Sequence, residues 1–306
     1  MYRYIILFFL GLITGVAYGQ QKPVQSLYMF DQTLLNPAYT GSHVQLSATF
    51  INRNQWINFP GAPVTQTFSI HSSFFDSKVG GGLIFTRDKI GIHEDFGLFA
   101  NYAFHLPITK KAKLSMGLQA GFNHLTSDYN ALVIRDLTDP NLQGKLTKMN
   151  PNFGAGLYYY TENLYIGFST PYLLENKIVD VEGVLSEARQ SRNYYIHGGY
   201  TFHPSPNFMV KPYALIRMQE GAPFGWDINM TVVYKEIVGT GISYRSNDAI
   251  IFLFELRLLP SLHLGYAYDY TLSDIRQHSN GSHEIMLNYR VKIPKIHKTL
   301  PCPSYF

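Results

Sequence analysis

A metal centre needs imidazoles, thiolates or carboxylates at ligand spacing, and this 306-residue chain offers 11 histidines and one cysteine. His71, His93, His105, His124, His197, His263 and His283 fall on separate segments. None makes a His-Glu-x-x-His pair, and His283-Glu284 alone supplies too few donors. Hydrolysis needs a nucleophile beside a base, or paired carboxylates at one rim. Ser273-Asp274 offers neither arrangement. Gly80-Gly81-Gly82 and Gly154-x-Gly156 precede or occupy strand-like segments rather than open a helix. They read as places where glycine relieves crowding or bends a strand, not as phosphate cradles. Lys110-Lys111-x-Lys113 is a short basic turn, and a net charge of +4 is too small for a nucleic-acid footprint. A single cysteine, Cys302, excludes a disulfide framework. The expectation is a protein without catalytic residues, metal or cofactor.

What remains is charge placed on one parity of alternating segments. Arg217, Asp227, Arg245, Glu255, Arg257, Asp269, Glu284 and Arg290 carry both signs, and their chemistry is mutual pairing across an enclosed lumen. The elements that would hold them alternate at period two. In 262–270, Leu262, Leu264, Tyr266, Tyr268 and Tyr270 oppose His263, Gly265, Ala267 and Asp269. In 226–234, Trp226, Ile228, Met230, Val232 and Tyr234 oppose Asp227, Asn229 and Thr231.

Fourteen such segments are expected near 43–52, 63–71, 79–88, 94–105, 112–125, 152–160, 164–170, 191–202, 208–219, 223–234, 237–245, 249–259, 262–270 and 283–293. That is one strand per roughly 18 residues, wider than the 8–12 of a soluble sandwich. Connections after even-numbered strands are mostly short, and several after odd-numbered ones (126–151, 171–190, 271–282) are long. The short loops at 220–222 and 246–248 break that pattern. Lipid offers a backbone no hydrogen bonds, so a membrane β protein must close on itself. The expected fold is all-β, a transmembrane outer-membrane β-barrel of about 14 antiparallel strands, with the tyrosine-rich parity toward lipid and the polar parity toward the lumen.

Composition agrees. Tyr 23, Phe 21 and Trp 2 make 15% aromatic, charged residues are also 15%, and mean hydropathy is near zero. Two interleaved faces of opposite character produce that average. After residue 20 no apolar run is long enough for a transmembrane helix. Residues 1–19 read as a signal peptide: Arg3, an apolar run from Ile5 to Val16, then the small-residue site Ala17-x-Gly19. Residues 20–42 are an N-terminal periplasmic lead-in or a plug, 43–293 the barrel, and 294–306 a C-terminal tail ending in Tyr305-Phe306.

The chain resembles the PorP/SprF family of outer-membrane proteins of the type IX secretion system. Asn36-Pro37-Ala38-Tyr39-Thr40-Gly41, Arg53-Asn54-Gln55-Trp56, Gly61-Ala62-Pro63 and Asp88-Lys89-Ile90-Gly91 carry the resemblance first. Asn152 to Tyr160, Gly221-Ala222-Pro223, Ser243-Tyr244-Arg245, Gly265 to Thr271 and Gly281 to Ile285 continue it through nearly the whole mature chain. Thr40 stands where alanine is more usual, and the Cys302-Pro303-Ser304 tail also departs.

The resemblance implies a non-enzymatic barrel that aids export or surface attachment of a partner protein, often a large adhesin. Some members belong to the secretion or gliding machinery itself. The implied partners are outer-membrane lipid, a secreted cargo and other secretion components, with no nucleic acid. A porin-like or hydrophobic-compound channel is the alternative. For docking, Arg53, Asn54, Gln55, Trp56 and Pro60 in the first long loop are the expected contact residues, because aromatic and Arg side chains anchor interfaces. The same residues could equally shape the rim between the first two strands.

Overall fold

Paired period-two strands turn one row of side chains to each face of a sheet. The computed structural model describes residues 24–43, 45–131, 144–176, 191–220 and 222–292. In it the strands are β1 (Gln45–Asn54), β2 (Val64–Phe74), β3 (Val79–Ile90), β4 (His93–Thr109), β5 (Ala112–Asp128), β6 (Lys145–Thr161) and β7 (Leu164–Tyr172). They continue with β8 (Asn193–Tyr200), β9 (Phe202–Ser205), β10 (Phe208–Gln219), β11 (Gly225–Tyr234), β12 (Val238–Arg245), β13 (Ala249–Leu259), β14 (Leu262–Thr271) and β15 (Ser282–Lys292). Strands β8 and β9 both pair with β10 and are two pieces of one wall strand, so the wall has 14.

Each strand is antiparallel to its neighbours. The ring closes where β1 meets β15, from Gln45↔Lys292 to Asn54↔His283. Closure leaves no sheet edge for lipid to meet. Strand β1 begins, and β15 ends, at the end of the short connections. The opposite end carries 55–63 and 272–281, the described residues 129–131, 144, 173–176 and 191–192 that flank β5 to β8, and the short links at 91–92 and 246–248. The link at 91–92 is a two-residue turn through Gly91 at φ 56°, an exception the loop pattern did not anticipate.

Strands β4, β5 and β6 have 17 residues each, well beyond the 9–11 that cross a bilayer. β5 and β6 pair from Asp128↔Lys145 to Ala112↔Thr161, whereas β6 meets β7 only over Ala155–Tyr160. Their hairpin therefore rises above the long-loop rim. Outside, Phe50, Leu118, Phe168, Met230, Phe252, Tyr270 and Tyr289 are exposed and form the apolar belt of a membrane barrel.

The inside departs from a simple polar lumen. Residues 24–43 lie within the ring and are buried almost throughout. Leu27, Tyr28, Met29, Phe30, Leu35, Ala38 and Tyr39 of this segment form one core with wall residues that include Tyr158, Tyr160, Tyr165, Tyr195 and Tyr213. Those five tyrosines point inward, unlike the lipid-facing tyrosines expected from alternation. An apolar segment in the lumen needs aromatic surface to pack against, and they supply it. The stretches read as a leader (1–19) and a tail (294–306) lie outside the described residues.

Candidate functional site

The inner segment is held at both ends by different chemistry. At the long-loop end, Glu284 Oε2 and Oε1 accept from the backbone N–H groups of Ser26 and Leu27, each at 2.7 Å. Ser26 Oγ donates to Asp269 at 2.9 Å and accepts from Arg53 Nη1 at 2.7 Å. Arg53 in turn pairs with Asp269 (2.6 Å) and Glu284 (3.0 Å). Arg245 pairs with Asp227 at 3.0 Å, lies 3.9 Å from Asp269, and donates to the Gln25 carbonyl at 3.5 Å. Arg217 reaches Asp227 at 2.9 Å. Three guanidiniums thus face three buried carboxylates, with the half-exposed Asp248 3.9 Å from Arg245 and the segment's backbone as part of the hydrogen bonding. Buried charges persist only when paired and bonded in this way.

Farther down, Asp31 accepts from Thr33 N–H at 3.1 Å and caps a short 3₁₀ turn (Gln32–Leu34), and Ser69 Oγ also donates to its carboxylate. Asn36 caps a second turn (Pro37–Tyr39) by accepting from Ala38 N–H at 2.9 Å, with Pro37 at the first helical position. The Asn36 amide also donates to the Leu157 carbonyl at 2.9 Å, and Ser169 Oγ donates to the Leu35 carbonyl at 2.7 Å.

The wall here is thinned to admit backbone. A Cβ on Gly117 would fall onto Pro37 and Ala38, one on Gly156 onto the Asn36 side chain, and one on Gly80 onto the Thr40 carbonyl. Gly41, at φ 74°, turns the chain out of the lumen toward β1, and His105 Nε2 donates to the Thr40 carbonyl at 2.9 Å. His43 shares a short hydrogen bond with the Tyr39 hydroxyl.

Of the eight charged residues expected along the lumen, Arg217, Asp227, Arg245, Asp269 and Glu284 meet in the loop-end cluster. Glu255, Arg257 and Arg290 lie toward the short-turn end. There Arg257 donates to His263 at 3.1 Å and pairs with Glu236 at 3.2 Å, while Glu255 and Arg290 are buried. Among the expected docking residues, Pro60 is exposed, and Asn54, Gln55 and Trp56 are half-buried at the rim.

Their loop is pinned on both sides. Trp56 N–H donates to Ser282 Oγ at 3.1 Å, Ile57 N–H to the Gly281 carbonyl at 2.9 Å, and Gly91 N–H to the Gly61 carbonyl at 2.9 Å. The Trp56 and Phe59 rings meet edge to face. Arg53 stands apart from this group: it is 2% exposed and belongs to the lumen cluster. Sequence reasoning did not single out Ser26, Leu27 or the inward tyrosines. The Asn36–Gly41 turn and the glycines were visible signals of the second anchor, though not of each other.

A family model described as "Type IX secretion system membrane protein PorP/SprF" matches residues 17–289. Among solved structures, the CymD monoaromatic hydrocarbon channel is similar with a TM-score of 0.52 at 12% identity, over 92% of this chain and 96% of that one. The Acinetobacter baumannii outer membrane protein Omp33 gives a TM-score of 0.46 at 10% identity, over 83% of this chain and 100% of its own. The likeness to CymD is one of fold alone. No curated protein matches the chain.

Proposed function

Because the chain belongs to the PorP/SprF family of type IX secretion system membrane proteins, we propose that it works in the outer membrane as a closed, non-enzymatic docking barrel. It aids the export or surface attachment of a secreted partner such as an adhesin. The observation that carries this reading is the filled lumen. Residues 24–43 occupy it as a plug, bonded at the loop end by Glu284, Asp269 and Arg53 and at the other end by Asn36 and Thr40.

With residues 24–43 buried inside the ring, much of the lumen is filled among the described residues, and we assign recognition to the long-loop rim. Asn54, Gln55, Trp56 and Pro60 are the contact residues of that rim, and Arg53 supports them from beneath by fixing the end of β1. Other secretion components are further partners of the same surface.

Two measurements test this. In planar bilayers the full-length protein should give no stable conductance, and a steady ohmic pore would favour the channel reading instead. In cells, Trp56→Ala should lower surface-retained cargo, measured by whole-cell labelling, at unchanged barrel abundance. Equal surface cargo in the variant would remove the rim from the mechanism.

A further inference from the structure

At the long-loop end the segment leaves a cavity of about 110 Å³ between itself and wall residues of β2, β3, β4, β5, β7 and β8. That is room for several waters or for a four-carbon chain with a polar head. Its apolar lining is Val24, Tyr28, Leu34, Leu35, Ile84 and Phe99, with Tyr172 and Tyr195 closing one side. Phe99 and Tyr172 meet edge to face at 5.6 Å.

The polar lining is rich in acceptors. Asp88 and Asp95 are direct partners across β3 and β4, and both line the cavity. Asp88 accepts from Thr65 Oγ1 at 2.7 Å, and both carboxylates are half-buried. Asp95 is met by the Asn123 amide at 2.9 and 3.1 Å, a neutral donor. Gln25 spends its amide N–H on Thr67 Oγ1 at 2.6 Å. The carbonyl oxygens of Gln25 and Gln119, two side chains more than nine-tenths buried on the cavity wall, have no donor among the described residues. None of the described residues that line the cavity is Lys or Arg.

We infer that this cavity is a binding site for a primary ammonium or guanidinium carried on a short apolar stem, the chemistry of a lysine or arginine side chain. The stem packs on Leu34, Leu35 and Ile84, and the head meets Asp95 and the Gln25 and Gln119 carbonyls. Aromatic faces at Phe99, Tyr172 and Tyr195 favour a cation further. The site is independent of cargo docking at Trp56 and stands whether or not that surface holds a partner.

The test uses the full-length barrel in detergent or nanodiscs, with binding read by saturation-transfer NMR. N-acetyl-lysine N-methylamide should bind, and the neutral isostere N-acetyl-norleucine N-methylamide at least tenfold more weakly. Asp95→Asn should weaken the lysine probe at least fivefold while the heat-modifiable gel shift of the folded barrel is kept. The comparison of the two probes on the unaltered protein stands even if the variant fails to fold. Binding of n-butylammonium as tightly as the lysine probe assigns the site to free amines, and preference for the lysine probe assigns it to a polypeptide. Equal binding of the charged and neutral probes, or no binding of either, overturns the inference.

Discussion

The two anchors of the inner segment solve the same problem by opposite means. At the loop end the wall (β1, β10, β11, β12, β14 and β15) adds atoms: charged side chains reach in, and Glu284 reads the amides of Ser26 and Leu27. Near the middle and the short-turn end the wall (β3, β5, β6 and β7) removes atoms, and glycines let the backbone of 36–41 lie against the strands. A charged anchor fails when a partner is deleted, because a buried charge is left behind. A steric anchor fails when a group is added, because nothing can move aside. The first depends on every member of a six-residue set, the second on shape at single positions.

The largest effect should come from the charged anchor. Arg53→Ala leaves Asp269 and Glu284 buried with one guanidinium fewer between them, and breaking a buried pair costs about 3–5 kcal/mol. The expected outcome is a fall in the urea midpoint of the refolded barrel and faster proteolysis near residues 24–31. Arg53→Lys keeps the charge but loses the planar fork that serves Ser26, Asp269 and Glu284 together, so it should fall between wild type and Ala. A loss below about 1 kcal/mol for Arg53→Ala would mean water reaches the cluster, and the contrast between the anchors would collapse.

Next in size is Gly117→Val. The added methyl groups would meet the Pro37–Ala38 backbone, and overpacking of this kind costs about 1–3 kcal/mol. The expected signature differs from that of Arg53→Ala: protease sensitivity appears around Asn36–Gly41 while the loop-end contacts at Ser26 persist. Cleavage spread evenly along 24–43 would show that the two anchors act as one unit.

Much of this was legible beforehand because period-two alternation assigns a strand and its faces at once. Met230 and Asp227 sort to opposite sides of β11 without any knowledge of the barrel. The ring closure was not legible. Arg53 and Glu284 are 231 positions apart and meet only because β1 pairs with β15, so Arg53 read as a loop residue rather than the centre of a lumen cluster. Residues 24–43 have no periodicity to read, and a turn motif such as Asn36–Gly41 announces a bend without naming what it packs against. Gly80 and Gly156 read as relief of crowding or as a strand bend, and the crowding partner was the segment in the lumen rather than another wall strand. Tyr158 and Tyr160 were ambiguous for a physical reason: tyrosine suits a membrane interface and a packed aromatic core alike.

The smallest of the three effects, and the sharpest test of the steric anchor, is at Asn36. Its side chain caps the 37–39 turn through Ala38 N–H, and its amide meets the wall at the Leu157 carbonyl and, at 3.4 Å, at His197 Nε2. Asn36→Ala loses both and should cost about 1–2 kcal/mol, in the range of a lost N-cap. Asn36→Asp separates the two roles. Aspartate caps as well as asparagine does, yet it has no donor for Leu157 and would bring a buried carboxylate against the site of Gly156. If the contact with the wall dominates, Asn36→Asp is at least as damaging as Asn36→Ala in the urea midpoint. If Asn36→Asp behaves like wild type, the turn is merely self-capped and the wall does not read it, leaving the charged cluster as the one specific anchor of the segment.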